Sequence, residues 1–401
     1  MSKTSVASRP RTITWLSLGH ACVDVYQGSV AALVPFFVLE REYTYAAASG
    51  IVLAASLLSS VVQPLFGALT DRWPMPWLLP VSTLLGGVGV ALSGISDSYL
   101  FTLIVIAVSG IGVAAYHPEA ARAARNASRG NHSGMGWFSL GGNLGFAVAP
   151  IMVSAVIATG GLHASPLLVV PALAGTVLCI AAVRSAKPAA GATTQTNDTE
   201  GKDDWGSFVR LSGAIICRSI VFVGLSAFVS LYAQERTSGG PVAATAALFI
   251  LYVGGAIGTI LGAGLANRFG RIRIIRWSYA LTILAVAGVV FVPGPIIYLF
   301  IALTSAGLYV PFSLHVTLGQ DYLPRRVGTA SGVTLGLTVS IGGLATPVIG
   351  ALADHFTMQV ALIPLILLPA IGWILVNTLR EPTPAKTPDG EPTREAPARP
   401  A

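Results

Sequence analysis

Long apolar runs alternate with short polar segments along nearly the whole chain of 401 residues. Each run has the roughly 20 apolar residues that a helix needs to cross about 30 Å of membrane hydrocarbon. The pattern therefore predicts an all-α membrane protein with twelve transmembrane helices. The predicted spans are 13–39, 45–69, 76–96, 99–121, 134–158, 164–184, 207–233, 242–266, 274–292, 295–319, 327–353 and 358–379.

The polar segments divide the chain further. Residues 185–206 are the one long polar interruption, and they predict a linker between two six-helix halves, 1–184 and 207–380. The tail, 381–401, is rich in proline and charge, a composition that predicts disorder. At the other end, basic residues precede the first apolar run, as in a signal peptide. That run is long and contains Asp24, so we expect an uncleaved first span.

The composition agrees with a lipid environment. Only 10% of residues are Asp, Glu, Lys or Arg, against about 25% in a soluble domain. The net charge of +7 lies in short clusters between apolar runs, so no nucleic-acid partner is predicted. The three cysteines lie in apolar runs without metal-binding spacing, and no Walker loop or nucleophile motif is present. The sequence predicts neither an enzyme nor a cofactor or metal site.

The positions of lysine and arginine predict the orientation. With both termini in the cytoplasm, 21 of the 24 basic residues fall in cytoplasmic segments. Only Arg41 and Arg236 lie on the opposite side, and Arg218 lies within a span. Cytoplasmic loops of membrane proteins carry such an excess of positive charge. We therefore expect a multi-pass protein of the bacterial inner membrane, with both termini and residues 185–206 in the cytoplasm.

The two predicted halves carry matching motifs. Span two closes with residues 67–72 (GALTDR), and span eight closes with residues 262–271 (GAGLANRFGR). Spans five and eleven are both striped with glycine, and they end near Pro150 and Pro347 respectively. Six-helix halves repeated in parallel are typical of one large class of secondary transporters.

The loop after span two resembles the best-known signature of the major facilitator superfamily, in which Gly67, Asp71 and Arg72 match. Longer stretches resemble the fosmidomycin-resistance branch of that superfamily. These stretches are HACVDVYQG at 20–28, VVQPLFG at 61–67, YHPEA at 116–120, GGNLG at 141–145 and GQDYLP at 319–324. The resemblance implies the major facilitator fold, with efflux of small molecules such as antibiotics in exchange for protons, by alternating access. Such membership does not identify the natural substrate.

The resemblance also implies a cytoplasmic gate. Asp71 would hold the inner face shut, by capping the start of span eleven or by pairing with Arg122 or Arg125. A solvated loop aspartate is the alternative. The residues assigned to this gate are Gly67, Asp71, Arg72, Arg122, Asn267, Arg268 and Arg271.

Several ionisable residues fall inside predicted spans, where each costs about 2.5–3.5 kcal/mol on insertion scales and so needs a reason. Asp24 lies eleven residues into span one, which is near the midplane at about 1.5 Å per residue. His20 and Gln27 share its helical face. We interpret Asp24 as the carrier of the coupling proton, assisted by His20 and, in span four, by His117 and Glu119. Glu119 pairing with Arg122 at the interface is the alternative.

Arg218 lies eleven residues into span seven, the repeat partner of span one. It is interpreted as the group that holds an anionic part of the substrate. The alternative is a permanent ion pair with Asp24 that never titrates. A core histidine without ligand is the alternative for His315. The predicted substrate-binding residues are Arg218, Gln27, Tyr26, Asn143 and His315.

The leading hypothesis is a proton-coupled exporter of small anionic or amphiphilic compounds. Its expected partners are the lipid bilayer, a small-molecule substrate and protons, and no obligate protein partner is evident. One rival is an importer or facilitator of an organic anion, in which Arg218 grips the substrate and Asp24 is structural. Another is a membrane sensor that does not transport.

Overall fold

The computed structural model describes residues 10–73, 75–128, 132–185 and 202–382, and these residues form helices and short connections without any strand. Most of the predicted linker and tail lies outside the described residues. The helices are α1 (Pro10–Arg41), α2 (Tyr45–Arg72), α3 (Leu78–Leu92), α4 (Tyr99–Ser128), α5 (His132–Ile157), α6 (Val170–Ser185), α7 (Trp205–Thr237), α8 (Gly240–Phe269), α9 (Arg271–Phe291), α10 (Ile297–Tyr309), α11 (Phe312–Tyr322), α12 (Val327–Ser331), α13 (Thr338–His355), α14 (Met358–Leu362) and α15 (Pro364–Asn377).

Among the described residues, ten helical segments are long and apolar enough to cross a membrane. The third predicted span contains a shorter apolar helix, α3, which has 15 residues. The eleventh span is α12 and α13, joined by a π-helical segment, Gly332–Leu337. The all-α class and the twelve predicted segments are thus found in the structure, although several predicted spans are interrupted.

Proline accounts for two of the interruptions. Span ten breaks between α10 and α11 at Pro311, and span twelve breaks between α14 and α15 at Pro364. Proline has no amide hydrogen to donate to the preceding turn, so a helix bends or ends where it occurs. The π-helical segment in span eleven contains Gly332 and Gly336, and single π turns often mark sites where a helix changes shape.

The helices pack as two groups that meet along two pairs. Within the first half α1 lies along α5 and α6, and α4 packs on α2 and α3. Within the second half α7 packs on α13 and α15, and α10 packs on α8 and α9. The halves meet where α2 lies on α13 and where α5 lies on α8. These are the two six-helix halves expected from the repeated motifs.

Glycine allows the closest of these approaches. A Cβ atom on Gly141 or Gly145 would collide with the backbone of α1 at Ser17 or Ala21. Small residues let helix backbones approach in membranes, where dispersion contacts and hydrogen bonds drive association. The glycine stripe of α5 therefore sets how closely α1 and α5 pack.

The helix ends define two faces. The linker face is the side on which α2 and α4 end and α7 begins, near Arg72, Ser128 and Trp205; the far face is the opposite side. On the linker face, Asp204 caps α7 by accepting a hydrogen bond from Ser207 N at 3.0 Å. Hydrogen bonds from the side chain and backbone of Ser207 hold the pKa of the Asp204 carboxyl below its usual value.

Candidate functional site

Three polar side chains meet near the middle of the first half. His20 Nε2 lies 3.2 Å from Asp24 Oδ2, and His117 Nε2 lies 3.1 Å from Asp24 Oδ1. His20 and Asp24 are one turn apart on α1, and α4 supplies His117. The structure thus brings together three of the four residues predicted for proton coupling.

The hydrogen bond made by Nδ1 of each histidine ring determines whether Nε2 of the neutral ring carries a hydrogen. His20 Nδ1 lies 2.8 Å from the carbonyl oxygen of Phe138, and His117 Nδ1 lies 2.7 Å from that of Val113. A carbonyl oxygen only accepts, so each Nδ1 must carry the hydrogen. When either ring is neutral, its Nε2 therefore points a lone pair toward Asp24.

A lone pair facing a carboxylate at about 3 Å is repulsive, whereas an N–H in the same place is strongly attractive. The cluster is consequently satisfied only when protons lie between the rings and Asp24. His20 Nε2 and Asp24 Oδ1 have no aligned hydrogen-bond partner among the described residues.

The three side chains of the cluster differ in their exposure to solvent. The side chain of Asp24 is 8% exposed and that of His20 is 9%, whereas that of His117 is 23% exposed. The His20 ring stacks on Phe138, with centroids 4.1 Å apart. His117 is therefore the member of the cluster that is most accessible to water.

Gly142 on α5 makes room for the cluster. A Cβ atom at this position would lie 2.5 Å from Asp24 Oδ2 and 2.6 Å from His20 Cε1. Besides letting α5 pack closely on α1, the glycine stripe of α5 therefore leaves space for the side chains of this cluster.

The same three side chains lie close enough together that they could hold a cation. His20, Asp24 and His117 each offer one ligand atom, and these atoms lie within 4.8 Å of one another. The residue spacing gave no sign of this, because α4 brings in the third donor from a distant part of the chain. The expectation that no metal site exists therefore stays untested.

Arg218 lies in the second half and is 6% exposed. Its Nη1 donates to the carbonyl oxygen of Leu308 at 3.0 Å, and its guanidinium lies 5.2 Å from the ring centre of Phe312. Among the described residues, no carboxylate lies within ion-pair distance of Arg218. The permanent Asp24–Arg218 ion pair, the alternative raised from the sequence, is not formed between these two described residues, and Asp24 faces His20 and His117 instead.

Further unsatisfied polar atoms surround Arg218. His315 is 1% exposed, and within the described part of the chain neither of its ring nitrogens has a hydrogen-bond partner. Arg218 Nε also has none. Buried donors of this kind are costly unless something accepts from them. An anionic group is the natural acceptor, because the guanidinium supplies a full positive charge.

A cavity of about 110 Å³ lies between the halves. Gln27 and Phe222 line it, one turn beyond Asp24 and Arg218 respectively. Its walls are mostly apolar, and its lining residues are Tyr26, Gln27, Val30, Ala31, Val52, Ala55, Ser56, Ser109, Gly110, Val113, Phe146, Phe222, Val223, Ser226 and Tyr252. Walls of this kind suit an apolar body.

The other predicted binding residues are placed differently. The Tyr26 hydroxyl donates to Leu168 O at 2.8 Å and accepts from Ala172 N at 2.6 Å, so only its ring faces the cavity. Asn143 on α5 is half-buried and lies close to Gly255 on α8, at the contact between the halves.

Sequence reasoning missed Phe222 and Ser226. Both lie on the helical face of Arg218, four and eight residues further along α7, and this spacing is the signal that would have found them.

The fourth residue predicted for proton coupling is engaged elsewhere. Glu119 is 2% exposed and forms a two-pronged pair with Arg122 one turn along α4. The structure therefore contains the alternative arrangement considered for Glu119. Bidentate carboxylate–arginine pairs are the stronger and more directional kind.

Comparison of the whole sequence with known protein families gives a match. The sequence fits the profile of the Major Facilitator Superfamily over residues 16–347. The chain belongs to the Major Facilitator Superfamily. Membership in this superfamily makes it a transporter rather than an enzyme.

Two relatives in this superfamily match almost end to end. The fosmidomycin resistance protein of Escherichia coli (strain K12) is 27% identical over 381 residues, covering 90% of this chain and 91% of the relative. The uncharacterized MFS-type transporter YfnC of Bacillus subtilis (strain 168) is 28% identical over 387 residues, covering 92% and 94% respectively.

Solved structures show the same superfamily fold. A bacterial homolog of the human lysosomal transporter Spinster, in an inward-facing and occupied conformation, aligns with a TM-score of 0.77 at 15% identity. It covers 93% of this chain and 97% of its own. The nucleoside transporter NupG aligns with a TM-score of 0.70 at 13% identity, covering 92% and 100%. At this identity the likeness concerns the fold alone.

The superfamily's signature loops lie on the linker face. Arg271 donates to Asp321 at 2.6 Å and to Glu381 at 3.2 Å, which ties the loop after α8 to the end of α11. Asn267 and Arg268 are exposed. The backbone of Asp71 lies in the last turn of α2, and its side chain is outside the described part of the structure.

Among the described residues, the other signature residues Gly67 and Arg72 have no partner across the halves. Arg72 is exposed and its guanidinium lies 4.9 Å from the ring centre of Trp73. A Cβ atom on Gly67 would meet nothing within 4 Å. The gate role of this loop stays a prediction.

Proposed function

We propose that this protein is a proton-coupled exporter of small anionic or amphiphilic compounds in the bacterial inner membrane. It works by alternating access between two halves, 1–184 and 207–380, joined by a cytoplasmic linker at 185–206. The observation that carries the proposal is the pair of Nε2 atoms that face the Asp24 carboxylate while each Nδ1 is held by a backbone carbonyl.

Such a cluster suits a proton carrier. Both rings already donate through Nδ1, so every further proton on the cluster must lie at an Nε2 or on Asp24. Each proton gained turns a repulsive contact into a hydrogen bond, and each proton lost reverses the change. The accessible ring of His117 is the proposed route by which protons reach Asp24, with His20 as the inner partner.

The anionic part of the substrate is assigned to Arg218. Its buried guanidinium has no carboxylate partner among the described residues, and its Nε lacks an acceptor. The apolar cavity beside it would take the rest of the molecule, with Gln27 and Asn143 as neutral polar contacts. His315 is proposed as a second donor to the same anion.

Export rests on the resemblance to the fosmidomycin resistance protein rather than on geometry. The positive-inside distribution places both termini in the cytoplasm. An anion importer would use Arg218 in the same way and would keep Asp24 as a structural residue. A sensor would bind the compound without moving it.

Transport into vesicles distinguishes these functions. Inside-out membrane vesicles that contain the protein would be given labelled fosmidomycin. Uptake would be measured with an acidic lumen, with a neutral lumen and with an acidic exterior. An exporter driven by protons accumulates the compound only with the acidic lumen. A proton-driven importer moves substrate and protons in the same direction. In inside-out vesicles it therefore accumulates the compound only when the exterior is acidic. Binding without accumulation under every gradient would contradict the proposal.

A further inference from the structure

The far face is closed by a hydrogen-bonded cap that crosses between the halves. Asp354 lies in the last turn of α13, in the second half, and α2 of the first half begins at Tyr45. The Asp354 carboxylate accepts from Tyr45 N at 2.7 Å and from Ala46 N at 2.9 Å. One oxygen accepts each bond.

The first amides of a helix have no partner within the helix and carry the positive end of its dipole. At the start of α2, Thr44 satisfies Ala47 N from within the first half, at 3.1 Å. The two amides before Ala47 depend on Asp354. The start of α2 is therefore completed by a charged residue of the opposite half.

The backbones of the two helices also touch at this point. Gly350 is one turn before Asp354, and a Cβ atom there would lie 2.7 Å from both Ser49 Oγ and Tyr45 O. Glycine at 350 lets α13 lie directly on the first turn of α2, which places the carboxylate within reach. Packing and capping therefore depend on the same approach of the halves.

Opening the far face must separate these elements. Hydrogen bonds of 2.7 and 2.9 Å between the halves cannot survive such a movement, so they stabilise only conformations in which the far face is closed. We propose that Asp354 is a latch that holds the far face shut and is released when that face opens. This inference rests on the alternating access assumed in the proposed function.

The latch has a counterpart in the predicted gate. Asp71 ends α2 on the linker face, where span eleven begins, and Asp354 ends span eleven on the far face, where α2 begins. Asp71 is predicted to cap the start of span eleven, as Asp354 caps the start of α2. If both act as caps, each favours closure of its own face, and the two oppose each other.

Distances between spin labels test the latch without substrate or a proton gradient. Cysteines at Ser98 and Val242 would report the far face, and cysteines at the exposed residues Asn126 and Asn377 would report the linker face, in an otherwise cysteine-free protein. The Asp354→Asn variant keeps one acceptor oxygen but loses the charge and the second acceptor. We expect the ratio of far-open to far-closed molecules to rise about tenfold, the usual effect of losing one hydrogen bond to a charged group.

Two further variants provide an independent test of the latch and a control. Gly350→Ala should shift the ratio in the same direction by pushing α13 away from α2, and it serves if Asp354→Asn is poorly inserted. Asp97→Asn is the matched control, because Asp97 is a far-face acid that lies 3.6 Å from Arg41 within its own half. This control should leave the distances unchanged.

The outcomes are distinct. Unchanged distances in both Asp354→Asn and Gly350→Ala, or a shift toward the closed far face, would overturn the latch. Adding Asp71→Asn to Asp354→Asn should move the ratio back toward that of the unaltered protein, if the two caps oppose each other. A failure of proton-driven transport in vesicles would leave these distance measurements intact, so the two proposals can fail separately.

Discussion

His117 Nε2 lies 3.1 Å from Asp24 Oδ1, although the two residues belong to different helices, α4 and α1. His20 approaches the other oxygen of the same carboxylate at 3.2 Å. Two imidazoles and one carboxylate thus form a single unit whose net charge depends on how many protons it holds.

The Asp24→Asn variant should bind substrate but should not concentrate it against a gradient. Each proton moved across the membrane contributes about 2.3 kcal/mol per 100 mV, and this variant loses the carrier of that charge. Substrate exchange by the variant should also lose its dependence on pH. Vesicle uptake and equilibrium binding measure the two properties separately. Uphill transport at the unaltered rate would assign the proton to another residue, with Glu119 as the next candidate.

The His117→Gln variant should slow proton-driven transport more than it weakens substrate binding. Glutamine can still reach Asp24 but cannot carry a proton, and His117 is the ring of the cluster most exposed to water. Rates measured over a range of pH at saturating substrate would show the defect. His163→Gln is a suitable control, because His163 lies on the far face in the 3₁₀ segment before α6. Equal rates in both variants would remove His117 from the proton route.

The Arg218→Ala variant should weaken binding of an anionic substrate by about 10- to 100-fold, the usual effect of losing a hydrogen bond to a charged group. Binding of a neutral analogue should change much less. Arg236→Ala provides the control, because Arg236 is an arginine of the same helix that lies near its far end and donates to Phe291 O. Equal loss for charged and neutral compounds would indicate a packing role for Arg218.

The Gly142→Ala variant should disturb the proton cluster without touching its chemistry. The added methyl group would meet Asp24 and His20 at about 2.5 Å, so α5 must shift or the carboxylate must turn away. We expect proton-driven transport to fall while the protein still inserts. Gly136→Ala, on the same helix, adds its methyl group where nothing lies within 4 Å and should have little effect. Similar activities would show that the cluster tolerates a displaced carboxylate.

The orientation can be tested with a single cysteine in the linker. Because 21 of the 24 basic residues are assigned to one side, Thr194→Cys in a cysteine-free protein should be shielded from impermeant thiol reagents in intact cells. It should react after the membrane is permeabilised, and Ser98→Cys on the opposite side should react in both cases. Labelling of Thr194→Cys from outside would overturn the predicted span count and orientation.

The sequence by itself determined the architecture. A run of apolar residues long enough to span a bilayer is a local property of the sequence. The positions of the spans could therefore be predicted without knowing which helices contact each other. The matching segments 67–72 and 262–271 indicated two related halves. The i, i+4 spacing of His20 and Asp24 also follows from helix geometry alone, and the structure keeps these two side chains together.

Only the tertiary structure decided which distant residues meet. Helix periodicity gives the face on which a side chain lies, but not the depth and rotation at which another helix packs against it. The sequence therefore left Asp24 with Arg218 as a possible partner, and packing of α4 on α1 gave it His117 instead. In the tertiary structure Glu119 pairs with Arg122, and Asp354 lies at the start of α2. Among the described residues, no carboxylate lies within ion-pair distance of Arg218. These choices depend on how closely glycine lets the backbones approach, which no single helix determines.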